Sequence, residues 1–301
     1  MIKSSLLLLS FLSLSGYAQN VNPLKDKVYT SVETALAAKP KATHLNFRDH
    51  GIFHVPTDIS HLNKLTFLNL MGNNLEYVGQ DVFNLRDLEI LNLKLNALKY
   101  ISRDIVKLNK LVRLDLSDNS IARLPDEIKT LKKLRFLHLS FNLITAIPNA
   151  IENCKDLEVL EIDNNQLSTL PAGISKLQKL KSLNMGFNQF NEFDAYWTKL
   201  TDLEELNIQY NFLRELPNEI AALQGLKTLM LSNNKLTSLP DSISTLNKLE
   251  LFSLADNNIT TLPKNIGLLV NLKTLILKGN PINKAEQARI KKALPGCTVY
   301  F

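Results

Sequence analysis

Apolar residues recur along this chain in a fixed 23-residue pattern. In Leu111 to Lys133, LVRLDLSDNSIARLPDEIKTLKK, they fill positions 1, 4, 6, 11, 14, 18 and 21 of the unit. Units of the same length begin at Ala42, Leu65, Leu88, Leu111, Leu134, Leu157, Leu180, Leu203, Leu226, Leu249 and Leu272, eleven copies with no insertion between them. Apolar residues at positions 4 and 6 predict a short strand with one face turned inward, because alternate strand residues share a face. The apolar pair four and seven residues beyond position 14, Ile128 and Leu131 here, predicts a turn or short helical piece that closes the core from the other side.

The polar positions repeat as strictly. Position 9 is Asn in ten copies, from Asn73 to Asn280, and His50 in the first. A buried amide carries donors and an acceptor with which to satisfy turning backbone, here expected in its own and the next repeat. Pro follows position 14 at Pro56, Pro125, Pro148, Pro171, Pro217, Pro240 and Pro263, where a fixed φ and a missing donor suit a segment outside the sheet. Two copies depart most. The second has Val78-Gly79 in place of Leu-Pro, and the seventh puts Phe190, Phe193 and Trp197 in core slots, which predicts bulkier packing there.

Both ends carry capping signals. Thr30-Ser31-Val32-Glu33 has the form of a helix capping box with Thr30 as the cap, and Val32, Ala35 and Leu36 form an apolar face before Pro40. At the other end Asn283 precedes a helix with Ala285, Ala288, Ile290, Ala293 and Leu294 as apolar positions, and Cys297 to Phe301 reads as a last strand. Residues 1–18, MIKSSLLLLSFLSLSGYA, form a candidate secretory signal: Lys3, a short apolar run, then a small-x-small cleavage site. That run is far below the ~20 residues needed to span a bilayer. The expected organisation is 1–18 signal, 19–41 N-terminal cap, 42–282 eleven repeats and 283–301 C-terminal cap.

Composition changes this picture little. The net charge is +6, one unit less once Lys3 is removed with the leader. The surplus lies in repeat tails such as Lys129, Lys132, Lys133, Lys176 and Lys179, where it reads as a solvated outer surface. No dense Lys/Arg block with interleaved aromatics is present, so nucleic acid is not an expected partner. Cys154 fills a slot that holds Leu in other copies, whereas Cys297 lies past the last repeat. Five or six strand spacings of ~4.8 Å would separate them, too far for a mutual disulfide.

The unit LVRLDLSDNSIARLPDEIKTLKK resembles the Leu-Pro-x-x-Ile class of leucine-rich repeat proteins, over about residues 42–282. The leader, the lead-in helix and the LPGCTVYF end are similar to exported bacterial members. That resemblance implies an α/β fold: a curved leucine-rich repeat solenoid with a parallel sheet on its concave face and short turns or helical segments on its convex face. It also implies a binding scaffold, since relatives with enzymatic activity carry it in additional domains, for which this chain has no room.

Positions 3, 5, 7 and 8 are then expected on the concave surface. Position 8 places Phe141, Phe187 and Tyr210 along one rim, and Phe136 stands at position 3 of the same sheet. Exposed aromatics clustered across repeats serve as interface anchors. His138, Glu161, Asp163 and Glu205 complete the candidate protein-binding set. Across the four positions seven acids face Arg48, Lys94, Arg113 and Lys278, which favours a partner with some basic character. The alternative is a carbohydrate or cell-wall ligand stacked on the same rings. Catalysis is not expected, because Glu161 and Asp163 have no positioned nucleophile and no Gly-rich phosphate loop is present. The histidines lack ligand spacing, and a calcium site needs more oxygen ligands than these acids offer, so no cofactor or metal is expected.

Overall fold

The computed structural model describes residues 27–301; the candidate signal at 1–18 and the start of the lead-in lie outside them. Among the described residues, thirteen short strands form one sheet in which each pairs in parallel with its sequence neighbours. The first is β1, Val28–Tyr29, and the last is β13, Thr298–Tyr300. Between them one three-residue strand per repeat, β2 (His44–Asn46) to β12 (Thr274–Ile276), occupies positions 3 to 5. Pairing runs in a register of one repeat, as in Arg113↔Phe136↔Val159.

The strands are short because the alternation lasts only through position 6. Position 4 is fully buried along the sheet (Leu114, Leu137, Leu160, Leu183), and so is position 6 in the same repeats. The outer segments are mostly short 3-10 turns, such as Asp126–Thr130 and Asn149–Asn153, each with Pro as its N-terminal cap. Each turn drives one Ile into the core (Ile128, Ile151) and continues into a buried residue at position 21. The second copy differs as its sequence suggests: without Pro, Gly79 caps a single α-helical turn, α2 (Gln80–Phe83). Strands stack about 4.8 Å apart, while the outer rungs carry bulky side chains, so the strands line the inner side of the curve.

The asparagine ladder holds the turn after each strand. Asn142 Nδ2 donates to the carbonyls of Leu139 and Ser140 in its own repeat, at 3.0 and 3.3 Å, and to Leu116 in the preceding one, at 2.9 Å. Its Oδ1 accepts from Ile121 N, also in the preceding repeat, at 3.0 Å. The ladder therefore points backward, not toward the next repeat as expected from sequence. This direction accounts for His50, which has no earlier repeat to serve; Asn73 satisfies the first copy by accepting from His50 N and Ile52 N.

In the seventh repeat Phe190, Phe193 and Trp197 are all buried. Trp197 meets Phe190 edge-on, with centroids 5.4 Å apart at 87°, and Phe193 at 4.8 Å. This is core packing, as the sequence predicts. Cys154 is also buried, which pushes its thiol pKa up to about 12, and neither cysteine is in a disulfide.

The caps follow the sequence in position but not in detail. In helix α1, Val32–Leu36, the cap is Ser31, whose hydroxyl accepts from Thr34 N at 3.2 Å; Thr30 and Glu33 do not close the expected box. Thr30 follows directly on β1, so the turn into the helix falls one residue later. Val32 and Ala35 are buried while Leu36 is exposed. Asn283 does cap the last helix, α3 (Lys284–Ala293), accepting from Glu286 N at 2.9 Å. Ala285 and Ala288 face solvent, correcting the expected apolar face. The helix is seated instead by Ile290, Leu294 and a polar clamp on Leu262: Glu286 accepts from its N–H at 2.9 Å and Arg289 donates to its carbonyl at 2.7 Å.

Replacing Asn142 by Ala leaves a buried N–H and several carbonyls without partners, so a loss of about 2–4 kcal/mol is expected. Urea unfolding checks this. Asn258→Ala, at an exposed position beside the ladder, should stay within about 0.5 kcal/mol of the parent.

Candidate functional site

The candidate residues stand on four adjacent repeats, and the backbone sorts them into two groups. Position 8, just before the ladder asparagine, is left-handed in all eleven copies: φ is 55° at Phe141, 52° at Phe187 and 53° at Tyr210. This bend turns the following Asn inward. It also engages the backbone, because the Phe141, Phe187 and Tyr210 amides each donate to the carbonyl at position 7 of the next repeat, at 2.9–3.0 Å. The side chain is left facing outward at the rim.

Left-handed backbone suits Gly, Asn and Asp, and costs a bulky residue about 1–2 kcal/mol. Seven copies comply: Asp49, Gly72, Asp118, Asn164, Asn233, Asp256 and Gly279. Four do not. Leu95, Phe141, Phe187 and Tyr210 hold large side chains in this conformation, and they remain 46, 54, 40 and 43% exposed. The strain is thus not offset by full burial, and such strain concentrates where side chains serve a ligand.

Phe187 and Tyr210 stack, with centroids 4.1 Å apart and planes 13° from parallel. Phe141 is set apart from them, since the repeat between carries Asn164 at this position; the rim is a pair plus one ring rather than a continuous row. Position 10 extends it with the exposed Leu143 and Phe212, which the concave-face reading of the sequence omitted. Their signal was present as two apolar residues at a position otherwise filled mainly by polar or small ones. Phe136 is half-buried on β6, Phe136–His138, with the Arg113 and Arg135 guanidinium groups 5.9 and 5.3 Å from its ring centre.

The second group is polar and largely engaged within the chain. His138 is buried and its Nδ1 lies 2.7 Å from Glu161 Oε2. Burial of Glu161 opposes its charge, but the His138 hydrogen bond, with Arg113 and Lys94 nearby, outweighs it and holds the carboxyl below its ordinary range. For Asp163 burial prevails and raises the pKa. Its carboxylate accepts from Ser140 Oγ, from Asn184 Nδ2 at 2.9 Å and from Asn164 Nδ2 at 2.8 Å. Glu205 accepts from Ser182 Oγ at 3.3 Å. These acids are less available to a partner than their position on the sheet suggests.

Position 5 explains why. Asn46, Asn69, Asn92, Asp115, Asn184 and Asn207 each accept from the backbone N–H two residues on, which fastens the strand end. Asp115 thus has one carboxylate oxygen engaged by its own strand end. His138 and Glu161 interrupt this row and bond to each other instead. The pair is where the middle of the face departs from its scaffold chemistry.

Comparisons with known proteins agree with this architecture. A leucine-rich repeat region family model matches residues 87–189 and 126–212, and a leucine rich repeat model matches 201–255 and 224–282. The chain carries leucine-rich repeats and folds as a leucine-rich repeat solenoid. It is similar to the leucine-rich repeat protein LIC12759 of Leptospira interrogans, at 28% identity over 92% of this chain and 100% of that one, with a TM-score of 0.53. The functional domain of InlJ from Listeria monocytogenes matches at 24% identity and TM-score 0.69, covering 80% of this chain and 49% of that one. The plant peptide hormone receptor RGFR1, solved in complex with RGF2, matches at 22% identity and TM-score 0.70, covering 86% of this chain and 46% of that one. The last two likenesses concern the fold alone, and this chain spans about half their length. No curated protein matches. Among the described residues no helix is long and apolar enough to cross a membrane.

Two outcomes follow from the rim and the buried pair. Phe141→Asn exchanges a strained residue for one suited to φ > 0, so stability should be unchanged or rise by up to about 1 kcal/mol, read as the urea midpoint. Glu161→Gln should lower stability at pH 7 by about 1 kcal/mol after solvent screening. A depressed carboxyl stabilises the folded state above its unfolded pKa of ~4.3 and loses this as pH falls through its folded value. The gap between parent and variant should therefore close below about pH 4 in a stability-against-pH series.

Proposed function

We propose that this protein is an exported, non-enzymatic scaffold that binds a protein partner on the concave face and rim of its solenoid. Phe141, Phe187 and Tyr210 are its anchors, Phe136 contributes from the sheet, and His138, Glu161, Asp163 and Glu205 give the surface its polar shape. The observation that carries this reading is the placement of large apolar side chains, exposed, in left-handed backbone at position 8. Nothing in folding asks for them there, and solvent-facing aromatics are what interfaces use as anchors. Leucine-rich repeat solenoids generally serve as interaction scaffolds, and one neighbour in fold, the plant peptide hormone receptor RGFR1, was solved in complex with RGF2.

Export rests on the signal pattern at residues 1–18 and on the similarity to exported bacterial proteins. The division into leader, N-terminal cap, eleven 23-residue repeats and C-terminal cap belongs to the same reading. The net acidity of the concave positions favours a partner with some basic character, as a secondary contribution, because Glu161 and Asp163 are already hydrogen-bonded within the chain.

Ring geometry favours protein over carbohydrate. Neighbouring strands lie ~4.8 Å apart along the solenoid, so a nearly parallel pair with centroids 4.1 Å apart turns its faces along the axis and its edges to solvent. A sugar stacks on an open ring face, whereas ring edges suit irregular contact with side chains and backbone. The triple variant Phe141→Ser, Phe187→Ser, Tyr210→Ser tests the proposal in a pull-down from the organism's surroundings. At least a tenfold loss of the captured protein is expected, since each anchor contributes about 1–2 kcal/mol. Undiminished capture by a folded variant places the site elsewhere, and capture that survives protease treatment of the target selects the carbohydrate reading.

A further inference from the structure

The opposite surface carries a charge pattern that the concave-face reading does not use. Along the last position of each repeat the charges run Lys64, Asp87, Lys110, Lys133, Asp156, Lys179. Asp87 pairs with the lysines on either side, Lys64 at 3.4 Å and Lys110 at 2.6 Å, and Asp156 pairs with Lys179 at 2.6 Å. The alternation breaks at Lys133, which is left between two satisfied pairs with no ion pair among the described residues.

Lys133 also lines a shallow depression between the outer rungs of the third, fourth and fifth repeats. The cavity is about 740 Å³, and its wall includes Lys110, Lys129, Lys132 and Lys133 with Asn109 and Asn153. Lys129, Lys132 and Lys133 are exposed and make no ion pair among the described residues. No carboxylate lines the depression. Glu152, on the next rung, is outside it, and Glu127 lies 4.0 Å from Arg103. Three ammonium groups without an ion pair, those of Lys129, Lys132 and Lys133, repel one another around one hollow, beside Lys110, which Asp87 already holds at 2.6 Å. An ammonium group has three donors and no acceptor, so what relieves that repulsion is a ligand rich in anionic oxygen.

We infer that this hollow is a binding site for a linear anionic polysaccharide bearing sulfate or phosphate groups. A planar membrane would not enter a concavity, and Val106 is the only apolar side chain in its wall, too little to anchor in lipid. No aromatic side chain lines it for stacking on bases. Lys155 and Lys176, exposed and unpaired among the described residues, continue the basic track along the fifth and sixth repeats. The site faces away from the proposed protein-binding rim, so the two could be filled together.

The test uses the full chain with heparin as a sulfated polysaccharide and, separately, vesicles of phosphatidylglycerol. The variant Lys129→Ala, Lys132→Ala, Lys133→Ala is compared with Lys248→Ala, Lys264→Ala, Lys284→Ala, which removes the same charge from exposed, unpaired lysines elsewhere. All six positions are exposed, and circular dichroism checks that both variants fold. The first set should weaken heparin binding by at least about tenfold and lower the slope of log affinity against log salt by about one per phosphate- or sulfate-contacting lysine. The second should change little. Equal weakening by both sets would reduce the binding to net charge and overturn the site. Binding to vesicles in place of heparin would overturn the polysaccharide assignment.

Discussion

The structure depends on one inward-turned side chain repeated ten times, buried in seven copies and half-buried in three. Each ladder asparagine satisfies backbone groups of its own repeat and of the one before, as Asn142 does for Leu139, Leu116 and Ile121. A repeat taken alone has neither its ladder partners nor a second surface on which to bury its leucines. Stability is therefore a sum over neighbours, as expected of solenoids. The ends show this by exception: β1 and α1 cover the first repeat, while α3 clamps Leu262 and β13 covers β12.

The same asparagine dictates what precedes it. For its amide to point into the core the chain must bend at position 8, and the bend is left-handed throughout. Backbone geometry thus creates a row of outward side chains whose identity the core does not specify and whose conformation penalises bulk. A bulky residue there is a departure with a physical consequence, and its concentration at Phe141, Phe187 and Tyr210 separates candidate recognition from architecture. Position 5 shows the converse: its polar residues look available, yet most are fastened to the strand end by their own backbone.

The fold was legible because its determinants recur at one interval. Strand positions, inward leucines and the outer turn all follow from the 23-residue pattern. What it concealed were relations between side chain and backbone. The ladder's backward direction is a matter of which carbonyls lie within reach of Asn142. The true cap at Ser31 rather than Thr30 depends on where β1 ends. At position 8, Asp49, Gly72, Asp118, Asn164, Asn233, Asp256 and Gly279 announced a left-handed turn, since these residue types share a tolerance of positive φ. Laid in register they would have marked Phe141, Phe187 and Tyr210 for conformation, whereas the sequence reading singled them out for exposure alone. The engagement of Glu161 and Asp163 could not be read, because it rests on side chains in neighbouring repeats.

The most direct test of the central claim places a photo-crosslinking phenylalanine analogue at single sites. At Phe187 or Tyr210 it keeps an aromatic ring on the rim, and at Val270, which is 76% exposed on the outer side, it serves as a control. Irradiation in the presence of the organism's surroundings should yield a discrete protein adduct from the rim sites and none from position 270. Adducts at position 270 alone, or at all three positions equally, would contradict the account.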